Sequence, residues 1–330
     1  MIEFLRKNKF IKTTSRKDTI SVNNTFTKLK RAILHPNNLI LFLLNRSARI
    51  WPDKLFLQLK YYLITNKKLN LKNARTFSEK IQWLKLYNRC PEYTLMVDKY
   101  AVKQYVSSII GQKYIIPTLG VWNSVEEIEW DVLPRQFVLK TTHGGGNSGV
   151  VICRDKMTFD TNEAKHKLRK SMKSDIYWNY REWPYKDVPK RILAEEFMEE
   201  SHPVKKGDLS DYKFYCFEGE PVFCQVIRDR RSKETIDFYD MNWNHMSFVG
   251  LNPVVSNGTS PVVRPIHLDE MVSICRKLSC NMPFSRIDLY VIDDKIYFGE
   301  ITFYPASGFG EFSPEEWNFK MGDLLVLPNR

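Results

Sequence analysis

Long apolar runs are missing from this 330-residue chain. The longest, Leu39-Ile40-Leu41-Phe42-Leu43-Leu44, has six residues. A membrane-spanning helix needs ~20, so none is expected. Met1 to Asp18 carries charge but no apolar segment or cleavage site, so a secretory signal is not expected either. Histidine is scarce: the six, at 35, 143, 166, 202, 245 and 267, include no i, i+4 pair, which argues against a zinc site. The six cysteines, at 90, 153, 216, 224, 275 and 280, include no C-x-x-C pair. Most sit in apolar runs, and without a signal they read as reduced, cytosolic and structural. Fourteen glycines and sixteen prolines are too few for a fibrous or low-complexity chain. No internal repeat is visible.

Acid is nearly absent from the first 70 residues. They hold 15 Lys or Arg against Glu3, Asp18 and Asp53, while residues 71–330 hold 35 of each sign. The net charge of +12 therefore belongs to one N-terminal segment. A neutral body lacks the basic working face of a nucleic-acid-binding fold, and no nucleic-acid partner is expected. The basic segment reads as an arm for an anionic surface, with peripheral contact to a membrane through residues 1–70 as one expectation. Residues 1–35 are polar and expected to be loose at the start. Residues 38–65 read as a helical hairpin packed on the body, or alternatively as an interfacial helix on anionic lipid.

At ~150 residues per domain there is room for about two. Thr76-Phe77-Ser78-Glu79 opens a helix, with Thr76 as cap and Glu79 closing a capping box. A second helix is predicted over 98–110, a short strand and turn over 115–121 and a short helix over 125–130. Gln136 to Lys140 reads as a strand, Thr141 to Gly149 as a glycine-rich loop and Val150 to Cys153 as the returning strand. A helix over 162–174 and a strand over 191–199 follow. Residues 211–217 and 221–227 form a hairpin about Glu218-Gly219-Glu220. A helix over 267–279 precedes a last hairpin, 284–292 with 295–303, turned by Asp293-Asp294. Strands that pair with sequence neighbours, plus helices, give an α+β organisation.

Two places carry chemistry. Glycines in the 141–149 loop let backbone N–H groups approach phosphate oxygens, and Lys140 adds a charge at the strand end. The loop is neither a Walker A nor a G-x-G-x-x-G motif, and a plain hairpin loop fits it equally. The second place is Arg286-Ile287-Asp288 with Glu300-Ile301-Thr302. Folding at 293–294 brings Asp288 and Glu300 together on one face, with Arg286 two residues away on the same side. Paired hard-oxygen ligands suit Mg²⁺ carried by a polyphosphate; a structural salt bridge is the plain alternative.

Together these pieces resemble the ATP-grasp superfamily: Asp98-Lys99 with Lys103 and Ile116-Pro117, then Phe137 to Gly149, then Ile192 to Met198, then Arg286, Asp288 and Glu300. The resemblance implies two α+β subdomains clasping ATP. It assigns Lys99, Lys140, His143, Gly144, Gly145 and Gly146 to the phosphates, and Glu195, Glu196, Phe197 and Met198 to the adenine side. Asp211 falls to the ribose. Asp288, Glu300 and Thr302 would hold one or two Mg²⁺ ions, Thr302 standing where the superfamily has Asn. Arg286, Lys213 and Arg228 become catalytic candidates, and Tyr304, Ser307 and Gly308 the substrate end. Within the superfamily the TupA-like branch is the nearest likeness, carried by Thr76 to Trp83, Val97 to Tyr100 and Phe298 to Pro305.

The resemblance implies boundaries at a basic helical extension (1–75), a helical and αβ lead-in (76–135) and ATP-grasp subdomains at 136–200 and 201–330. It also implies cytoplasmic, ADP-releasing carboxylate–amine ligation in surface-polysaccharide biosynthesis. ATP, a carboxylated glycan or uronic acid, and an amine such as an amino acid would be the partners. A glycosyltransferase or an ATP-grasp sugar kinase is the alternative. The first is disfavoured by the lack of a D-x-D after an apolar strand, since Ile292-Asp293-Asp294 serves as a turn.

Overall fold

A computed structural model describes residues 36–146, 149–199, 210–229, 233–251 and 255–329. The expectation for residues 1–35 lies outside the described residues, as do Asn147 and Ser148 of the glycine loop. The chain divides into two units, residues 1–46 and 47–330. In the first, the described element is helix α1, Pro36–Arg46.

In the second unit the helices are α2 (Asp53–Thr65), α3 (Phe77–Tyr87), α4 (Glu92–Val97), α5 (Ala101–Ile110), α6 (Thr161–Met172), α7 (Ile176–Tyr180), α8 (Leu268–Ser279) and α9 (Glu316–Leu324). The capping box on α3 forms as its residues require: Glu79 N donates to Thr76 Oγ1 (3.3 Å) and Thr76 N to Glu79 Oε2 (3.0 Å). The 98–110 helix starts later, at Ala101, because Asp98 accepts from the amides of Tyr100 (2.9 Å) and Ala101 (3.2 Å) and so acts as a cap. Residues 125–130 are not helical. Only a 3₁₀ turn, Trp130–Val132, forms there, and Val125, Ile128 and Leu133 are buried from irregular backbone.

The strands fall into two larger sheets. The first, entirely antiparallel, has the order β1 (Thr118–Trp122), β4 (Ile192–Glu196), β2 (Phe137–Thr141), β3 (Val150–Cys153). It covers a small core of Val125, Phe137, Leu139, Cys153, Leu168 and Ile192. The second sheet has the order β11 (Lys295–Thr302), β10 (Phe284–Ile292), β5 (Asp211–Phe217), β6 (Glu220–Arg228), β7 (Thr235–Asp240), β8 (His245–Met246). A third pairing joins β9 (Val249–Gly250) to β12 (Phe312–Ser313). Both long hairpins turn on two residues with positive φ, Glu218-Gly219 (49°, 86°) and Asp293-Asp294 (48°, 56°), the mirror-image turns that match strand twist.

The larger core lies between the second sheet and α3, α5 and α8. Phe77 of α3 is fully buried and meets the edges of Phe284 (5.1 Å), Phe312 (5.7 Å) and Phe217 (6.4 Å). Helix α9 closes against the N-terminus of α3 at Gly322. A Cβ there would lie 2.1 Å from Arg75 O, so only glycine fits.

Candidate active site

The β10–β11 register puts Asp288 opposite Glu300 and Arg286 opposite Thr302. Opposed residues share a face, so these four side chains converge on one side of the hairpin. Gly299 makes room by letting the strand bulge: a Cβ there would meet Asp288 O at 3.0 Å. Arg286 is the hub. Its Nε donates to Asp288 Oδ1 (2.7 Å) and its Nη2 to Asp288 Oδ2 (2.8 Å), Glu300 Oε1 (3.1 Å) and Thr302 Oγ1 (3.1 Å). From β5, Lys213 adds a second cation to Asp288 Oδ2 and reaches Asp211 Oδ2 at 3.6 Å.

These pairs fix the charges. Burial pushes the Asp288 carboxyl up, and Arg286 and Lys213 pull against it. Glu300 is also raised by desolvation, but Lys99, Arg286 and Lys213 outweigh that and hold it at about 2. Asp288 is 1% exposed whereas Glu300 is 39% exposed, so of the two carboxylates Glu300 is the accessible one. Glu300, Thr302 and Asp288 form a hard-oxygen set that Mg²⁺ would fit when phosphate and water complete its shell. Asp288 would contribute only by giving up part of its pairing with Lys213 and Arg286.

Further cations cluster on the first sheet and on the turn and helix that precede it. Lys99 N bonds Thr142 O (3.1 Å) and its Nζ bonds Gly144 O (2.5 Å), tying the start of the α5 region to the glycine loop. Burial lowers the Lys99 ammonium while Glu300 raises it. Lys140 and Lys103 both pair with Glu195, each at 2.5 Å. Lys103 also donates to Ile116 O (2.6 Å). The loop hugs Thr141: a Cβ on Gly144 or Gly149 would lie 2.4 or 2.2 Å from Thr141 Oγ1. Gly145 and Gly146 continue the loop, Gly146 with φ +60°. His143 is buried, its Nε2 3.3 Å from Ser171 O, and burial depresses its basicity.

The remaining candidates lie on β4, β5 and β6 and just past the end of β4. Glu196 is exposed at the end of β4, Phe197 and Met198 are half-buried, and Arg154 stacks over Phe197 at 4.8 Å. Asp211 opens β5 opposite Ile227 and Tyr290. Arg228 sits two strands from β10, engaged by Asp237 Oδ2 and Ser260 O, each at 3.0 Å. It holds β6, β7 and the 255–262 segment together rather than joining Arg286.

The protein family described as TupA-like ATPgrasp matches residues 79–326. The chain belongs to that family. Similar solved structures include D-alanine–D-alanine ligase from Helicobacter pylori, at 15% identity and TM-score 0.40, covering 76% of this chain and 69% of that one. The Bacillus anthracis ligase complexed with ATP is 14% identical, TM-score 0.35, covering 63% and 53%. ATP-grasp ligase PsnB complexed with minimal precursor, Mg and ADP is 10% identical, TM-score 0.35, covering 68% and 57%. This chain thus spans little more than half of the last two. No curated protein matches it.

In this TupA-like ATP-grasp chain the third region, after β11, is built on strain. Ala306 (φ 48°), Ser307 (φ 53°) and Gly308 (φ 63°) are successive left-handed residues, costly for the first two. Helix α3 holds them: Gln82 Nε2 donates to Ser307 O (3.1 Å) and Gly308 O (2.7 Å), and Lys85 Nζ to Ser307 O (2.6 Å) and Tyr180 O (3.0 Å). Ser307 Oγ donates to the buried carboxylate of Glu182. Tyr304 is buried beside them, and its phenol is driven up by burial and by Glu182. Gln82, Lys85 and Glu182 were not singled out from the sequence. The only signal was that Gln82 falls inside the Thr76 to Trp83 run, and nothing local said what it holds.

Proposed function

We propose that the chain is an ATP-dependent carboxylate–amine ligase that releases ADP. The observation that carries this reading is the single face shared by Arg286, Asp288, Glu300 and Thr302. A carboxylate is a poor electrophile, and phosphorylating it creates a good leaving group. In this reading Lys99 and Lys140 bind the polyphosphate, Lys140 exchanging Glu195 for phosphate. Asp211 and the 195–198 stretch receive the nucleoside. Mg²⁺ bound at Glu300, Thr302 and Asp288 would supply charge neutralisation for the β and γ oxygens. Arg286 first stabilises the moving phosphoryl group and then the oxyanion formed when the amine attacks the acyl phosphate. Lys213 keeps Asp288 and Arg286 aligned. The glycine loop excludes water from the acyl phosphate. Tyr304, Ser307 and Gly308 line the acceptor end.

The acceptor in this proposal is a carboxylated glycan or uronic acid, the amine an amino acid, and the setting surface-polysaccharide assembly where cytoplasmic ATP is at hand. Purified protein given ATP, Mg²⁺, galacturonic acid and hydroxylamine in place of the amine should form a hydroxamate and release ADP and phosphate. Release of AMP and pyrophosphate, or sugar transfer from a nucleotide sugar with ATP idle, overturns the ligase. A stable phosphosugar would instead support the kinase reading.

A further inference from the structure

Helix α2 is apolar on two opposite faces. At ~100° per residue Phe56, Leu57 and Tyr61 point one way and Leu55, Leu59 and Tyr62 the other. The first three are buried in the body; the second three are 42%, 37% and 50% exposed, and Ile50, just before the helix, is 80% exposed. An apolar stripe exposed on the face away from the core marks a contact surface. Arg49 and Lys54, which precede the stripe in the chain, are exposed. Asp53, the only acid between residues 19 and 70, is spent on Arg181 (2.8 Å) and Arg89 (2.7 Å). In the other unit, α1 likewise exposes Leu39, Ile40, Phe42 and Leu43, with no acid and Arg46 in its last turn.

We propose that the Leu55, Leu59 and Tyr62 face of α2 is a docking surface for an anionic lipid bilayer. The stripe enters the headgroup boundary while Arg49 and Lys54 meet lipid phosphates, and Tyr62 has the amphipathic ring suited to that depth. A polyanion such as a nucleic acid or an acidic glycan would be held by the cations alone and leave the aliphatic stripe without use. This surface is independent of the ligase reading and stands or falls without it.

The full chain should sediment with vesicles of phosphatidylcholine and phosphatidylglycerol at 3:1, and at least ~10-fold more weakly with phosphatidylcholine alone. Leu55→Ser with Leu59→Ser and Tyr62→Ser should weaken the anionic-vesicle binding ~10-fold or more. The single change Leu59→Lys is the sharper discriminator. Insertion predicts weaker binding, whereas a purely electrostatic surface predicts tighter binding. Because these side chains are exposed, thermal unfolding of each variant should match the parent. The proposal is overturned by any of three results. The parent fails to bind anionic vesicles. Leu59→Lys binds as well or better, with heparin competing. Or the triple variant dissociates a dimer while vesicle binding is unchanged.

Discussion

Asp288 and Glu300 face each other across one hairpin, yet their environments assign them different tasks. Asp288 is sealed in with Arg286 and Lys213, and removing its charge leaves two cations short of an anion. Asp288→Asn should therefore cost ~3–5 kcal/mol of stability as well as ATP turnover. Glu300→Gln should abolish Mg²⁺-dependent turnover and destabilise less than Asp288→Asn, since the group is over a third exposed and its ion pairs are screened by water. Thermal denaturation beside an ADP-release assay separates the two; equal destabilisation would return Asp288 to the role of an ordinary ligand. The buried lysines make a second prediction. Burial, then Lys85 and Arg181, bring Lys60 down to about 7 from 10.5. Its folded value lies below its unfolded one, so the unfolded chain binds more protons between those limits and stability rises with pH there. Urea midpoints of parent and Lys60→Met from pH 7 to 8.5 should show the parent gaining up to ~1.4 kcal/mol per pH unit relative to the variant. Parallel curves would place the Lys60 charge in water.

Helix α3 shows what was legible at the scale of an element and what was not. Its cap, its start and its apolar face follow from Thr76, Glu79, Phe77 and Ile81, because capping and periodicity are local. So does the β10–β11 pairing, because two residues able to take positive φ sit between two apolar runs. The task of α3 was hidden: Gln82 and Lys85 act on carbonyls more than 200 residues away, and no local pattern encodes such a contact. The pairing of Lys103 was hidden for the same reason, since its partner Glu195 lies on a distant strand. With Glu195 between them, Lys140→Ala and Lys103→Ala should both weaken ATP binding. Lys140 ends at the glycine loop and should lose ~10-fold or more, the worth of a charged hydrogen bond, with Lys103 losing less. Calorimetric titration checks the order, and a larger Lys103 effect would move the phosphate subsite toward α5. Gly308 tests the anchoring of the 306–308 turn. A Cβ there would lie 2.6 Å from Ile81 Cγ2 and 2.8 Å from Gln82 Nε2, at φ +63°. Gly308→Ala should cost ~1–3 kcal/mol and reduce turnover with ATP affinity retained, measured by unfolding and by nucleotide titration of the same sample.

Charge is segregated along the whole molecule, and the two kinds of surface attraction it implies have different ranges. Residues 1–35 carry nine Lys or Arg and two acids, and the attraction of such a segment to an anionic bilayer is long-ranged, at most ~1 kcal/mol for each basic residue near the surface. It is screened over ~8 Å at physiological ionic strength and over ~3 Å at 1 M. The Leu55, Leu59 and Tyr62 stripe acts at contact and is insensitive to salt. Deleting residues 1–35 should therefore weaken binding to phosphatidylglycerol vesicles several-fold at 0.1 M NaCl and hardly at all at 0.5 M. The Leu55→Ser, Leu59→Ser, Tyr62→Ser chain should remain defective at both. ATP affinity should be unchanged in either, because residues 71–330 are charge-balanced and hold every group assigned to the nucleotide. Vesicle sedimentation across a salt series, with nucleotide titration as the control, reads both terms. If the deletion effect persisted undiminished at 0.5 M, the segment would be contributing contacts rather than field. If it also lowered ATP affinity, the N-terminal segment would belong to the catalytic body.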